Sequence, residues 1–140
     1  AETFRQMEGQ RWSIPGDFAR IEADGTLVLL GRGSVSINTG GEKVFPEEVE
    51  EALKLLAEVS DANVVGVPDP KWGSAVPAVV ELIDGAEITD QAMIDGLRSH
   101  LSGYKLPKNI VRVDSVFRAP NGKADYKWAT ATAKSSLGMD

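Results

Sequence analysis

The sequence predicts an α+β fold: a central three-stranded sheet flanked by helices and preceded by a β-hairpin. Three observations carry that expectation. β-rich runs alternate along the chain with stretches whose apolar residues recur at helical spacing. Asp24-Gly25 and Thr39-Gly40-Gly41 mark tight turns between extended segments. No internal repeat or low-complexity tract suggests a solenoid or a disordered tail.

Taken in order, the chain opens on a polar stretch with no obvious packing partner and begins at Ala1 rather than Met. A piece cut from a longer protein and simple trimming both account for that start. Residues 18–30 then read as a hairpin, with Phe18 and Ile21 before the Asp24-Gly25 turn and Leu27 to Leu30 after it. Gly31-Arg32-Gly33-Ser34 interrupts the pattern as a flexible joint. The domain boundary is placed there, with residues 1–32 before it and 33–140 after it.

Beyond the joint, Ser34 to Asn38 and Glu42 to Phe45 suggest a second, shorter hairpin. Pro46 suits a first helical position, Glu47 and Glu48 suit the positive end of the helix dipole, and Val49, Ala52, Leu53 and Leu56 form one apolar stripe. Asn63 to Val67 and Ala75 to Ile83 read as strands joined by a Pro-Asp-Pro loop. Pro77 predicts an edge position or a bulge near the start of its strand. Thr89 can cap a helix carrying Ile94, Leu97 and Leu101, with Gly103 as its stop. Ile110, Val111 and Val113 give a third strand. After the loop from Arg118 to Lys123, Asp125 can cap a last, alanine-rich helix that frays toward Asp140.

Composition excludes several chemistries. A net charge of -6 argues against a non-specific nucleic-acid binder, which needs a basic face. Zero cysteines remove thiolate nucleophiles, disulfides and zinc fingers together, and a reducing, cytoplasmic setting is the simplest expectation. No apolar run approaches the roughly 20 residues that span a bilayer, and no signal peptide is visible. The single histidine, His100, leaves no room for a multi-histidine metal site and suits the end of a helix better. No metal site is expected, and the acidic run Glu47, Glu48, Glu50 and Glu51 reads as a solvated helix face. Trp12, Trp72 and Trp128 read as packing residues.

Three segments carry the functional signal, each with a plainer alternative. Asp17 and Arg32 stand at the two ends of the first hairpin, so they can lie side by side and suit a ribose diol. A surface ion pair worth about 0 to 1 kcal/mol explains the same spacing. The Gly40-Gly41 turn with Lys43 permits close approach of an extended ligand, or is an ordinary hairpin ahead of a capped helix. Lys123, on a Gly-containing loop before a helix start, can reach a phosphate or carboxylate, or is a solvated loop lysine.

Together these segments resemble the adenylate-forming superfamily of acyl-CoA synthetases, luciferases and peptide-synthetase adenylation domains. "PGDFARIEADGTLVLLGR" resembles the family's Gly-Asp motif and the strand pair leading to its hinge. "GRGSVSINTGGEKVFPEEVE" is similar to the hinge-and-hairpin motif, and its wording to bacterial synthetases for fatty or steroid side-chain acids. "GYKLPKNIVRVDSVFRAPNGKADY" resembles the closing segment that bears the catalytic lysine. The likeness runs from about Pro15 to Trp128, with the motifs in order and at the family's spacing.

The resemblance implies a mobile C-terminal lid domain preceded by the tail of a large N-terminal domain, which is its expected partner. It implies a reaction in which a carboxylic acid and Mg-ATP give acyl-adenylate and pyrophosphate, after which the thiol of CoA displaces AMP. Mg2+ would be held mainly by the N-terminal domain. Asp17 and Arg32 would hold the ribose hydroxyls of ATP. Lys123 would bridge the carboxylate and α-phosphate oxygens, and Gly33 and Ser34 would form the hinge. After the swivel, Gly40, Gly41 and Lys43 would line the pantetheine tunnel. Two positions depart from the family pattern. Ser34 stands where Asp or Lys is common, and Asn38 where lysine is common. Two other functions fit the same motifs: an adenylation domain that loads a carrier protein, and an interaction module that has lost catalysis. The resemblance also implies that these residues alone do not activate an acid.

Overall fold

A computed structural model describes residues 3–139; the start at Ala1 and the expectation of fraying at Asp140 lie outside the described residues. The chain runs β1 (Phe4–Met7), β2 (Gln10–Ser13), β3 (Asp17–Ile21), β4 (Leu27–Arg32), β5 (Ile37–Thr39), β6 (Glu42–Val44), α1 (Pro46–Lys54), β7 (Val59–Val64) and β8 (Val67–Asp69). It continues through β9 (Gly73–Ala75), β10 (Pro77–Leu82), α2 (Asp90–Leu97), β11 (Asn109–Val113) and α3 (Tyr126–Ser136). Short 3-10 turns occupy Gly33–Val35 and Gly103–Lys105.

The expected α+β architecture is present. A mixed sheet in the order β11-β10-β7, parallel on one side of β10 and antiparallel on the other, separates two apolar layers. Ala78 and Val80 of β10 face a core built with Val49 and Leu53 of α1 and Met93 and Leu97 of α2. Val79 faces the opposite layer, formed with Val111, Ala129 and Ala133. Both faces of β10 are therefore buried, which is why it reads as an unbroken apolar run rather than an alternating one. Four two-stranded hairpins surround this sheet: β1-β2, β3-β4, β5-β6 and β8-β9.

The helices start where their caps put them. Pro46 and two glutamates open α1. Thr89 Oγ1 accepts from the Ala92 amide at 3.1 Å to open α2, and Asp125 Oδ1 accepts from the Trp128 amide at 2.9 Å to open α3.

Several expectations need correction. The polar opening stretch is a hairpin, β1-β2, with Arg11 over the Phe4 ring. Pro77 lies in the central strand, not at an edge; as the first residue of β10 it precedes most of the ladder, so its missing amide costs little. The register shift in that strand falls at its far end, between Glu81 and Leu82. The strand expected from Asn63 is β7, which starts at Val59, and the Pro-Asp-Pro loop carries its own hairpin, β8-β9. Helix α2 stops at Leu97, before Gly103, although Leu101 still packs into the core. The acidic run is only in part a solvated face: Glu51 is exposed, but Glu50 is buried, Glu47 is half-buried, and Glu48 pairs with Lys105 at 2.8 Å.

Candidate active site

Strands β3 and β4 place Asp17 directly opposite Arg32. Arg32 Nε lies 3.4 Å from Asp17 Oδ1, and both side chains are exposed, so the pair remains free to meet a ligand. Gly31 makes this geometry possible. Its φ of 126° lies outside the range of other residues, and it allows a register shift that leaves Leu30 unpaired. A methyl group at Gly31 would also collide with the Glu47 carboxylate.

Gly33 and Ser34 follow at once in a 3-10 turn. The Gly33 amide donates to Gly16 O at 3.1 Å, and Ser36 Oγ donates to Gly33 O at 2.8 Å. A side chain at Gly33 would run into the Phe18 ring, so close approach, rather than backbone angle, requires glycine here.

Lys123 stands at the end of a tight turn closed by the Ala119 amide to Lys123 O at 2.9 Å and the Gly122 amide to Ala119 O at 2.8 Å. Asn121 Oδ1 accepts from the Lys123 amide at 3.1 Å, while the Lys123 side chain is exposed. The fold brings this turn beside Arg32 and Ser34. Arg32, Ser34, Glu47, Glu50, Lys123 and Tyr126 all line one cleft of about 440 Å³. Asp17 opens onto an adjoining cleft shared with Gly31, Arg32 and Glu47.

Glu50, buried in the wall of the first cleft, is the residue that sequence reasoning missed. Burial drives its carboxyl up to about 7, against opposing hydrogen bonds from the Val64 amide and the Tyr126 hydroxyl. Burial likewise pushes the Tyr126 hydroxyl up, assisted by the neighbouring Glu50 and Glu47 charges. The spacing of Glu50 one position after Val49, on the buried side of α1, was the available signal.

The Gly40-Gly41 turn lies elsewhere. Both glycines have positive φ, 57° and 85°, as a two-residue hairpin turn requires. The Gly40 amide donates to Trp72 O at 2.9 Å, and an added Cβ at Gly40 would press on the Trp72 ring. An added Cβ at Gly41 meets open space. Gly40 and Trp72 share a second cleft of about 370 Å³ with Arg98, Tyr104 and Lys108. Trp72 is only in part a packing residue: it lies against Gly40 yet is 41% exposed, with Lys71 and Lys108 ammonium groups 4.7 and 4.6 Å from its ring centre. Trp12 is also exposed, while Trp128, on α3, packs against the layer built with Val79 and Val111, as expected. Lys43 does not join this cleft. It points to the opposite side of its hairpin, 5.2 Å from the centre of the Phe18 ring, which itself stacks on Phe45.

A helix-flanked mixed sheet with a 3-10 turn, a glycine hairpin and a lysine turn on its rim is the architecture of the C-terminal domain of AMP-binding enzymes. The chain belongs to that family: the model described as "AMP-binding enzyme C-terminal domain" matches residues 48–123. Among relatives, a 3-oxocholest-4-en-26-oate--CoA ligase of Rhodococcus rhodochrous is 58% identical over 91% of this chain and 23% of its own length. A medium/long-chain-fatty-acid--CoA/3-oxocholest-4-en-26-oate--CoA ligase of Mycobacterium tuberculosis is 55% identical over 92% of this chain and 24% of its own. Apo MatB from Rhodopseudomonas palustris superimposes with a TM-score of 0.81 at 33% identity, covering 94% of this chain and 26% of that one. The chain thus spans about a quarter of the length of the curated relatives it matches.

Proposed function

We propose that this chain is the C-terminal part of an acyl-CoA synthetase acting on fatty acids or related carboxylic acids. The whole enzyme would join the acid to the α-phosphate of ATP, releasing pyrophosphate, and then pass the acyl group to the thiol of CoA, releasing AMP. The observation that carries this reading is that Arg32 and Lys123 line one cleft although the loop and the hinge are far apart in sequence. Asp17 and Arg32 would grip the ribose hydroxyls. The Lys123 ammonium would face the charge that builds on the transferring phosphate, where a fixed cation is worth most.

Residues 1–32 would then close the N-terminal domain and residues 33–140 form the lid, turning about Gly33 and Ser34. Ile21, Leu27 and Leu29 support that division, being 73%, 61% and 72% exposed on the β3-β4 hairpin; an apolar patch of this kind marks a contact surface. The N-terminal domain of the same enzyme is its proposed partner. Mg2+ is assigned elsewhere. Around Lys123 the carboxylates of Glu47, Glu50 and Glu51 are interleaved with Arg32, Lys54 and Arg118, and Glu50 already accepts two hydrogen bonds. That donor set does not suit a hard cation, and among the described residues no three acidic or histidine groups gather as ligands.

The second cleft supports free CoA over a carrier protein as the thiol donor. Gly40 and Gly41 would line the pantetheine path. The partly exposed Trp72 ring offers aromatic surface for a purine, and the two ammonium groups beside it offer charge for phosphates. Lys43 would contribute only after the hairpin has moved. No helix in the described structure is long and apolar enough to cross a membrane.

Two measurements on the full-length enzyme test this. Lys123→Ala should lower ATP–pyrophosphate exchange by about a hundredfold or more while sparing conversion of supplied acyl-adenylate to acyl-CoA. Equal loss of both steps overturns the role given to Lys123. Trp72→Ala should raise the KM for CoA about tenfold, a loss expected of one stacking contact, without changing exchange. Unaltered use of CoA, or equal activity with a carrier protein, overturns the assignment of that cleft.

A further inference from the structure

The turn that carries Lys123 is closed by bonds within itself, and these do not say where the ammonium group stands relative to the domain. Its two shoulders do. Before the turn, the Arg118 guanidinium makes a two-pronged contact with Asp61, Nε to Oδ2 at 2.6 Å and Nη2 to Oδ1, and Nη1 donates to Gly122 O at 3.3 Å. After the turn, the Tyr126 hydroxyl donates to Glu50 Oε2 at 3.3 Å.

Both carboxylates are anchored at one place. β7 is an edge strand, and its ladder with β10 leaves outward amides to be satisfied by other groups. Asp61 Oδ1 accepts from the Ala62 amide, and Glu50 Oε1 accepts from the Val64 amide, each at 2.8 Å. The edge of β7 is thus closed by two side chains whose carboxylates also reach the two ends of the lysine turn.

We propose that Asp61 and Glu50 are positioning residues for Lys123, acting through Arg118 and Tyr126 to hold the turn at the place where its ammonium group is needed. The proposal rests on the reading of Lys123 as the cation of the adenylation step. A reacting group displaced by about 1 Å can lose on the order of a hundredfold in rate, so neither carboxylate need touch substrate to matter. Glu50 is held first by burial, which favours its neutral form, and faces Glu47 and Lys54 of its own helix, the Val64 amide of β7, Tyr126 of α3 and Arg118 of the loop. The Asp61 carboxyl is pushed up by burial but pulled below its ordinary range by the Arg118 contact and the Ala62 amide together, which keeps it charged for the clamp.

The test uses the full-length enzyme and follows both half-reactions in Asp61→Ala, Glu50→Ala, Tyr126→Phe and Lys123→Ala. The clamp variants should lower kcat for ATP–pyrophosphate exchange about tenfold to a hundredfold, with KM for ATP little changed and acyl-adenylate conversion within about threefold. Glu50→Gln, which keeps an acceptor for Val64 and a partner for Tyr126, should restore exchange to near the parent rate. Tyr126→Phe removes only a hydroxyl and serves where an alanine variant does not fold. Full-speed exchange in the clamp variants, with Lys123→Ala inactive, overturns the positioning role alone. Equal loss of both half-reactions does the same by pointing to a structural role. Full-speed exchange in Lys123→Ala overturns the functional reading on which the clamp rests.

Discussion

At the scale of single residues, Glu50 shows how burial changes what a carboxylate does. Its unfolded carboxyl titrates near 4.5 and its folded one near 7, so the folded state holds an extra proton between those values. Stability therefore falls as pH rises from about 4.5 to about 7 and is flat above, the reverse of an ion-paired carboxylate. The full swing is on the order of 3 kcal/mol. Glu50→Gln should lack this slope. Denaturant unfolding of both proteins at pH 5 and pH 8 reads it, and parallel slopes would show that Glu50 does not titrate in this window. Asp61 works with the opposite sign. Its depressed carboxyl adds stability above the ordinary aspartate range and loses it as the pH falls through the folded value.

At the scale of elements, the β5-β6 hairpin offers the clearest division between shape and chemistry. Its turn needs two positive-φ residues, which Gly40 and Gly41 supply, but only Gly40 is pressed against a neighbour. Gly41 faces open space, so its proposed role is clearance for an extended ligand rather than packing. Gly41→Leu should cost about 1 to 2 kcal/mol of backbone strain. In the full-length enzyme it should stop acyl transfer to CoA while leaving ATP–pyrophosphate exchange intact. A variant that transfers acyl groups at the parent rate would remove the tunnel role from this turn. The edge strand β7 works differently: it is finished by Asp61 and Glu50 rather than by another strand, so sheet closure and the placing of the lysine turn become one arrangement.

At the scale of the whole molecule, the proposed ribose pair and the proposed catalytic lysine form one wall of a site rather than a closed pocket. Asp17 and Arg32 are exposed, and Lys123 reaches into a cleft open to solvent. The isolated chain of 140 residues should therefore fold around its two-layer core yet give no ATP–pyrophosphate exchange. Measured exchange from the isolated chain would overturn the proposed division of labour with an N-terminal domain. The two clefts also hold different sets of proposed residues, Arg32 and Lys123 in one and Gly40 with Trp72 in the other. A rigid-body turn about Gly33 and Ser34 would let one domain present each in sequence, a motion needing only a few rotatable backbone angles.

Much of this was legible in the order of residues, because it depends on neighbours close in the chain. The Asp24-Gly25 and Gly40-Gly41 turns, Pro46 opening α1, the Thr89 and Asp125 caps, and the facing of Asp17 and Arg32 across a hairpin all follow from local backbone chemistry. Tertiary structure alone decided what required distant partners. Pro77 became central because β11 arrives on its far side, Glu50 became buried because α3 closes over the edge of β7, and Trp72 gained its cationic surroundings because lysines from two different loops meet at its ring. Local rules govern angles and caps, where each residue answers to those within a few positions. Burial and charge are set by residues that meet only after the chain has folded.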